Sequence, residues 1–358
     1  MKAFVREKLS EIIRWPGFAA LLVLVSVLMP CFIYWFHTGN SRGLYPGSRL
    51  DISGVQIQVD NESMDVENFL ILMICVDYQP DMEEEALKAF AAAARSSLYA
   101  HLEQYSRQKE TTGQESEVVK ADDLGVSYGK PGEMVCIFRN AADEENGKHW
   151  SSVYQRVKNA VEKTAGQYLI YPEKSKTAPV DALWHECSAG YTRFYEGNLT
   201  GEYDGISLYS PQQKSMDGKD RLLPESIQMT VYTRRQVAEL LWEMPGTEDI
   251  LSKETSLSTY FKIEKRDDTG YIETISLGNR KMTGEEAAQL LQISSGCFYV
   301  SDISEEKLKI TVCGSGRGYG MSLAGASVMA SQGSGYREIL EYYFPVCTLN
   351  NLSVFRAE

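Results

Sequence analysis

Apolar and polar positions alternate in Val55-Gln-Ile-Gln-Val59, which predicts a half-buried strand. From Met64 to Val76 the spacing changes: Val66, Phe69, Leu70, Met73 and Ile74 recur at helical intervals. A second helix is predicted over Glu83 to Leu102. It opens on three glutamates that suit the positive N-terminal dipole, and its interior, Ala89 to Ala94, allows very close packing. Residues 106–131 are polar and read as a loop or insertion. Tyr154 to Lys163 reads as a helix stopped by Gly166, followed by short strands at Tyr168–Tyr171 and Ala182–Trp184. Asn198 to Leu222 has little periodicity and reads as loop.

Alternation returns in Ile227–Tyr232, before a helix over Thr233–Trp242. Strands at Tyr260–Lys265 and Tyr271–Leu277 flank an Asp-Asp-Thr-Gly turn at 267–270, and Thr283-Gly-Glu-Glu opens a helix through Leu291. The last strands are Phe298–Ser301 and Lys307–Val312, and the last helices Leu323–Gln332 and Tyr336–Tyr343. Helices and mostly antiparallel strands interleave without a regular βα period, so the expected class is α+β.

The N-terminus departs from this pattern. Residues 1–16 form a basic tail with Lys2, Arg6, Lys8 and Arg14, and Gly17 to Phe36 contain no charged residue. A helix of ~20 residues rises ~30 Å, the thickness of a bilayer's hydrocarbon layer. Residues 17–36 are therefore expected to be a single-pass transmembrane anchor. The basic flank places residues 1–16 in the cytoplasm, residues 37–50 are a linker, and 51–358 are an extracytoplasmic domain. The absence of an Ala-x-Ala-like site favours a retained anchor over a cleaved signal.

The 358 residues carry a formal net charge of −13, which argues against nucleic acid as a partner. Of seven cysteines, Cys31 lies in the apolar span. Cys75, Cys136, Cys187, Cys297, Cys313 and Cys347 remain, and spacing does not choose among disulfide pairings or simple buried thiols.

Three segments carry the chemistry. Glu85-Ala-Leu-Lys-Ala-Phe-Ala-Ala-Ala-Ala-Arg95 lies in the Ala-rich helix, Asp181-Ala-Leu-Trp-His-Glu-Cys-Ser-Ala-Gly190 follows the middle helix, and Gly314-Ser-Gly-Arg-Gly-Tyr-Gly-Met-Ser-Leu-Ala-Gly-Ala326 alternates glycine with larger residues. In that order they resemble the motifs of the SpoIID/LytB family. Tyr336-Arg-Glu-Ile-Leu-Glu-Tyr-Tyr343 is similar to the family's ending. Two positions differ: Arg317 stands where the family has His, and Leu323 where it has Gln.

The resemblance implies a lytic transglycosylase that cuts peptidoglycan glycan strands, in sporulation or wall remodelling, with one carboxyl group as both acid and base. The family's Glu, nine residues before the Ala of the Glu-Ala-Leu-Lys helix, corresponds to Asp77 here. The carboxyl is present but one methylene shorter, a retreat of ~1.5 Å. The same resemblance places His185, Ser188, Gly190, Gly316, Arg317, Tyr319 and Ser322 along the substrate groove. Arg95 either pairs with a site carboxylate or is solvated. Arg317 cannot replace a neutral His but could clamp an anionic sugar substituent. Tyr319 could stack on a sugar or pack in the core, and His185 could line the groove or be a core residue.

No cofactor is implied, although His185 and Cys187 could seed a zinc site if further ligands joined them. The alternatives to an enzyme are a non-catalytic peptidoglycan-binding or scaffold protein, and an activator of a partner amidase or other wall hydrolase.

Overall fold

A computed structural model describes residues 55–60, 62–79, 82–112, 118–129, 144–170, 179–197, 208–216, 226–251 and 255–351. The anticipated tail, transmembrane span and linker over 1–50 lie outside the described residues. Among the described residues no helix is long and apolar enough to cross a membrane.

The elements run in the order β1 (Gln56–Val59), β2 (Glu62–Asp65), α1 (Val66–Val76), α2 (Glu84–Thr112), β3 (Val118–Lys120), α3 (Glu144–Lys163) and β4 (Gln167–Ile170). Then come β5 (Trp184–His185), β6 (Tyr195–Gly197), β7 (Leu208–Ser210), β8 (Ile227–Thr233) and α4 (Arg234–Leu240). They are followed by β9 (Phe261–Arg266), β10 (Ile272–Leu277), β11 (Arg280–Met282), α5 (Gly284–Leu290), β12 (Phe298–Ser304) and β13 (Lys307–Cys313). The chain closes with β14 (Met321–Ser322), α6 (Leu323–Ser331), α7 (Tyr336–Tyr343) and β15 (Thr348–Asn351). Pairings are antiparallel except β1 with β3 and β5 with β14, as an α+β fold should show.

Two apolar cores form among the described residues. The first gathers around α2, whose Ala89 and Ala91 to Ala94 are fully buried; without longer side chains there, α3, α6, α7 and β4 close in on it. α1 begins where the Asp65 side chain accepts the Asn68 N–H at 2.9 Å, and Phe69, Leu70, Met73 and Ile74 seal its inner face. Its C-terminal cap is Asp77. The second core lies among β8–β13, α4 and α5, with Ile272, Ile275, Leu277, Phe298, Leu308 and Ile310 at its centre. Reciprocal capping boxes start α4 at Thr233 with Gln236, and α5 at Thr283 with Glu286.

Two expectations need correction. α2 runs to Thr112, so the start of the anticipated 106–131 loop is helical. The stretch lacks apolar periodicity, but its Gln, Arg, Lys and Glu residues propagate a helix that packing has already nucleated. The 198–222 loop contains the short strand β7, which pairs with β6.

Candidate active site

Three separate stretches converge at the C-terminal end of α1. Asp77 follows the last turn of α1 and is half-buried. The indole N–H of Trp184, on β5, donates to Asp77 Oδ2 at 2.8 Å. Trp184 is itself held by Phe90 of α2, ring edge against ring face with centroids 5.1 Å apart. Burial raises the Asp77 pKa above the usual aspartate value. The Trp184 hydrogen bond opposes that rise, and the negative charge of Glu186 adds to it.

Glu186 follows β5 and is exposed. Its backbone carbonyl accepts from the Gln79 side chain at 2.9 Å, tying it to the segment just past Asp77. Its carboxylate accepts the Ser315 hydroxyl, which belongs to the glycine segment. One shell therefore contains Asp77, Trp184, Glu186 and Ser315. Tyr78 flanks it, with its hydroxyl 2.6 Å from the Arg156 guanidinium.

The glycine segment runs alongside residues 183–189. Cys187 and Ser315 exchange backbone hydrogen bonds at 3.2 and 2.8 Å, Met321 N–H donates to the Leu183 carbonyl at 2.9 Å, and Ala324 N–H donates to the Glu186 carbonyl at 3.0 Å. Such an approach excludes side chains. At Gly316, with φ +90°, an added Cβ would lie 2.9 Å from the His185 Cβ; at Gly318, with φ +79°, it would fall on the Tyr271 ring. Here the alternation of glycines brings two backbones together rather than opening a ligand cradle.

The remaining expected site residues divide by location. His185 is buried, and its Nδ1 lies 3.0 Å from the Tyr319 carbonyl. Tyr319 is half-buried, with the Arg193 guanidinium 4.4 Å over its ring, so that face is covered. Ser188 is buried and accepts the Gly190 N–H at 3.0 Å, shaping its own loop. Gly190 faces open space. Ser322 is fully buried and caps α6 by accepting the Gly325 N–H at 3.1 Å. Arg317 is exposed to solvent, and Leu323 is buried in the first core.

Arg95 is neither solvated nor beside Asp77. It is fully buried, with Nε and Nη2 on the Glu67 carboxylate at 2.9 and 2.8 Å, and donates to the carbonyls of Thr164 and Val161 at 2.8 and 3.0 Å. Glu67 lies ten positions before Asp77, a helical rise of ~15 Å. Arg95 therefore gathers the C-terminal carbonyls of α3 and does not reach a substrate. His185 and Cys187 join no cluster of three or more metal-binding side chains among the described residues; the Cys187 thiol points to the Ser188 carbonyl at 3.8 Å.

Trp184 and Glu186 are site residues that motif spacing alone did not single out, although both flank His185 in the second segment. Arg193 was also missed. It is buried, pairs with Asp267 at 2.7 Å and with Glu285, and sits 4.8 Å over the Tyr271 ring.

Comparison with known proteins supplies the lineage. Residues 56–171 match the SpoIID family model, described as a stage II sporulation protein. The chain is 24% identical over 288 residues to stage II sporulation protein D of Bacillus amyloliquefaciens, covering 79% of this chain and 73% of the relative. It is 22% identical over 300 residues to stage II sporulation protein D of Bacillus subtilis (strain 168), covering 82% and 77%. The family match takes in α1, Asp77 and α2, and the longer alignments extend well beyond it. The chain thus carries a SpoIID-type segment over residues 56–171, and the two longer alignments support its assignment to the SpoIID family.

Proposed function

We propose that the protein acts on peptidoglycan glycan strands by lytic transglycosylase chemistry, in sporulation or related wall remodelling, from a single-pass anchor at residues 17–36. The observation that supports this most is the state of Asp77. Its carboxyl is half-buried, held through one oxygen by Trp184, and raised in pKa by burial and by Glu186. A general acid needs this, because a carboxyl that keeps its proton closer to neutrality can donate it.

In the proposed reaction Asp77 donates its proton to the glycosidic oxygen as the bond to C1 breaks. The 6-hydroxyl of the same muramic residue attacks C1, and the carboxylate takes the hydroxyl proton. The products are a free 4-hydroxyl and a 1,6-anhydro sugar; the proton count balances and water is not consumed. One carboxyl suffices because the nucleophile belongs to the substrate, unlike the paired carboxylates of hydrolases. Trp184 occupies Oδ2 and leaves Oδ1 for the transferred proton.

A second reading rests on the length of the side chain. Asp77 is one methylene shorter than the family's Glu, and a misplacement near 1 Å can cost ~10²-fold. This favours a binding or scaffold protein that holds glycan, or stimulates a partner hydrolase, without cutting.

Denuded glycan strands incubated with the full-length protein and examined by mass spectrometry separate the two. The enzyme reading expects anhydro-ended fragments, with Asp77→Asn lowering their rate by ~10² or more. That variant should remain folded. A raised folded-state pKa means the native protein holds this proton more tightly than the unfolded chain. Its contribution to stability therefore falls as pH rises from the ordinary aspartate value through the raised one, and Asn, which does not ionise, escapes that penalty. Glycan retained on the protein with no anhydro product would establish the binding reading. Full turnover by Asp77→Asn would remove Asp77 from the mechanism.

A further inference from the structure

A second reactive group adjoins the glycine segment, where β12 begins and β13 ends. Cys297 directly precedes β12 and Cys313 ends β13. The antiparallel pairing of Phe298 with Val312 sets the two cysteines opposite one another. The Cys313 N–H donates to the Cys297 carbonyl at 2.8 Å, which holds the two residues side by side. Opposed residues of an antiparallel pair have Cα atoms ~4.5–5.5 Å apart, within the ~4.4–6.8 Å that a disulfide spans.

The surroundings make the two thiols unequal. Cys297 is buried, with its Sγ 3.4 Å from the Gly270 carbonyl, whereas Cys313 is half-buried. The Arg266 guanidinium is fixed beside them by the Gly270 and Phe298 carbonyls at 2.6 and 2.7 Å. Cys313 is drawn down to about 7, first by the neighbouring Cys297 thiol and then by the charge of Arg266, against the effect of burial. Cys297 moves the opposite way, through its Cys313 neighbour and its burial. Elsewhere burial pushes Cys75 and Cys347 up to about 12, which leaves them poor nucleophiles.

We propose that Cys297 and Cys313 form a dithiol site that a disulfide-bearing oxidant converts to an intramolecular disulfide. The Cys313 thiolate attacks one sulfur of the oxidant, forming a mixed disulfide and expelling one thiolate. Cys297 then gives up its proton and attacks Cys313 Sγ, expelling the second thiolate. Two protein thiols are oxidised to one disulfide, and the oxidant's disulfide is reduced to two thiols. The bond would close just where the glycine segment begins. Gly314 N–H is already held by the Ser226 carbonyl at 2.7 Å, and Gly316 N–H by the Ser294 carbonyl at 2.8 Å. Closure would lock both ends of the strip that presents Ser315 to Glu186. This inference does not depend on the glycan reading.

The test is to expose reduced, folded, full-length protein to oxidised glutathione near pH 7.5, block the remaining thiols by alkylation, and map the peptides by mass spectrometry. The expected product joins Cys297 to Cys313, while Cys75 and Cys347 remain thiols. In Cys297→Ser the reaction should halt with glutathione on Cys313. In Cys313→Ser, oxidation at Cys297 should slow ~10-fold or more, as expected when a low-pKa attacking thiol is lost. Alkylation of both cysteines after exposure, or a bond from either to another cysteine, would overturn the proposal. Failure of Cys297→Ser to capture glutathione at Cys313 would overturn the assigned order of attack.

Discussion

Two buried arginines mark two regions that use the same chemistry for different ends. In the helical region around α2, Arg95 is fully buried, and its donors are taken up by Glu67 and by carbonyls at the end of α3. At the glycine segment, Arg193 is nearly as buried, but its carboxylate partners Asp267 and Glu285 are partly open to water, and two tyrosine rings lie against it. The first arginine satisfies helix ends inside a core. The second joins loops, with its backbone N–H on the Gly318 carbonyl at 2.8 Å and Nη1 on the Arg317 carbonyl at 3.3 Å. Buried charge thus stabilises the body in one place and positions the site-bearing strip in the other.

The largest expected effect breaks the first of these. Arg95→Ala removes the charged partner of Glu67, which keeps the Tyr99 hydroxyl, and the donor to several buried carbonyls, a loss of ~3–5 kcal/mol. Denaturant unfolding should show it directly. Arg193→Ala should cost less, because Asp267 and Glu285 can turn to solvent. Equal losses from the two variants would erase the distinction between the regions.

A smaller effect sharpens the picture of the strip. Gly318→Ala must hold a left-handed φ of +79° and also displace the Tyr271 ring, whereas Gly190→Ala, at φ +119°, meets nothing within 4 Å. Both variants store backbone strain of ~1–3 kcal/mol, and only Gly318→Ala adds overpacking of a similar size. Thermal unfolding should therefore rank Gly318→Ala below Gly190→Ala. The reverse order would mean that the glycines are not there to let backbones approach.

Periodicity made the body of the fold legible. The α1 face, the Ala-rich α2, the β9–β10 hairpin and the Thr283 cap all follow from local pattern, because each element's own side chains determine it. The tail of α2 to Thr112 did not, since propagation from a packed helix leaves no apolar signature. At the site, the family resemblance led to Asp77, and the structure adds its partners. Trp184 and Glu186 reach it only through the β5–β14 pairing and the Gln79 contact, which are long-range features. Arg95 was open between a site carboxylate and solvent for a related reason: only the long-range contacts with Glu67 and the end of α3 show what encloses it.

The finest test concerns the balance at Asp77. Burial and Glu186 raise its pKa, and Trp184 lowers it. Trp184→Phe keeps the ring against Phe90 but removes the N–H, so the Asp77 pKa should rise further. Glu186→Gln removes a nearby negative charge, so it should fall. A general acid works in its protonated form, and activity is lost as pH rises through its pKa. In the proposed mechanism the high-pH limb of the rate profile should therefore move up in Trp184→Phe and down in Glu186→Gln. Glu186 is exposed, so salt should shrink its shift and leave the Trp184 shift nearly unchanged. Opposite movements of one limb, with only one sensitive to salt, require that the group titrating there accepts from Trp184 and feels the charge of Glu186, as Asp77 does.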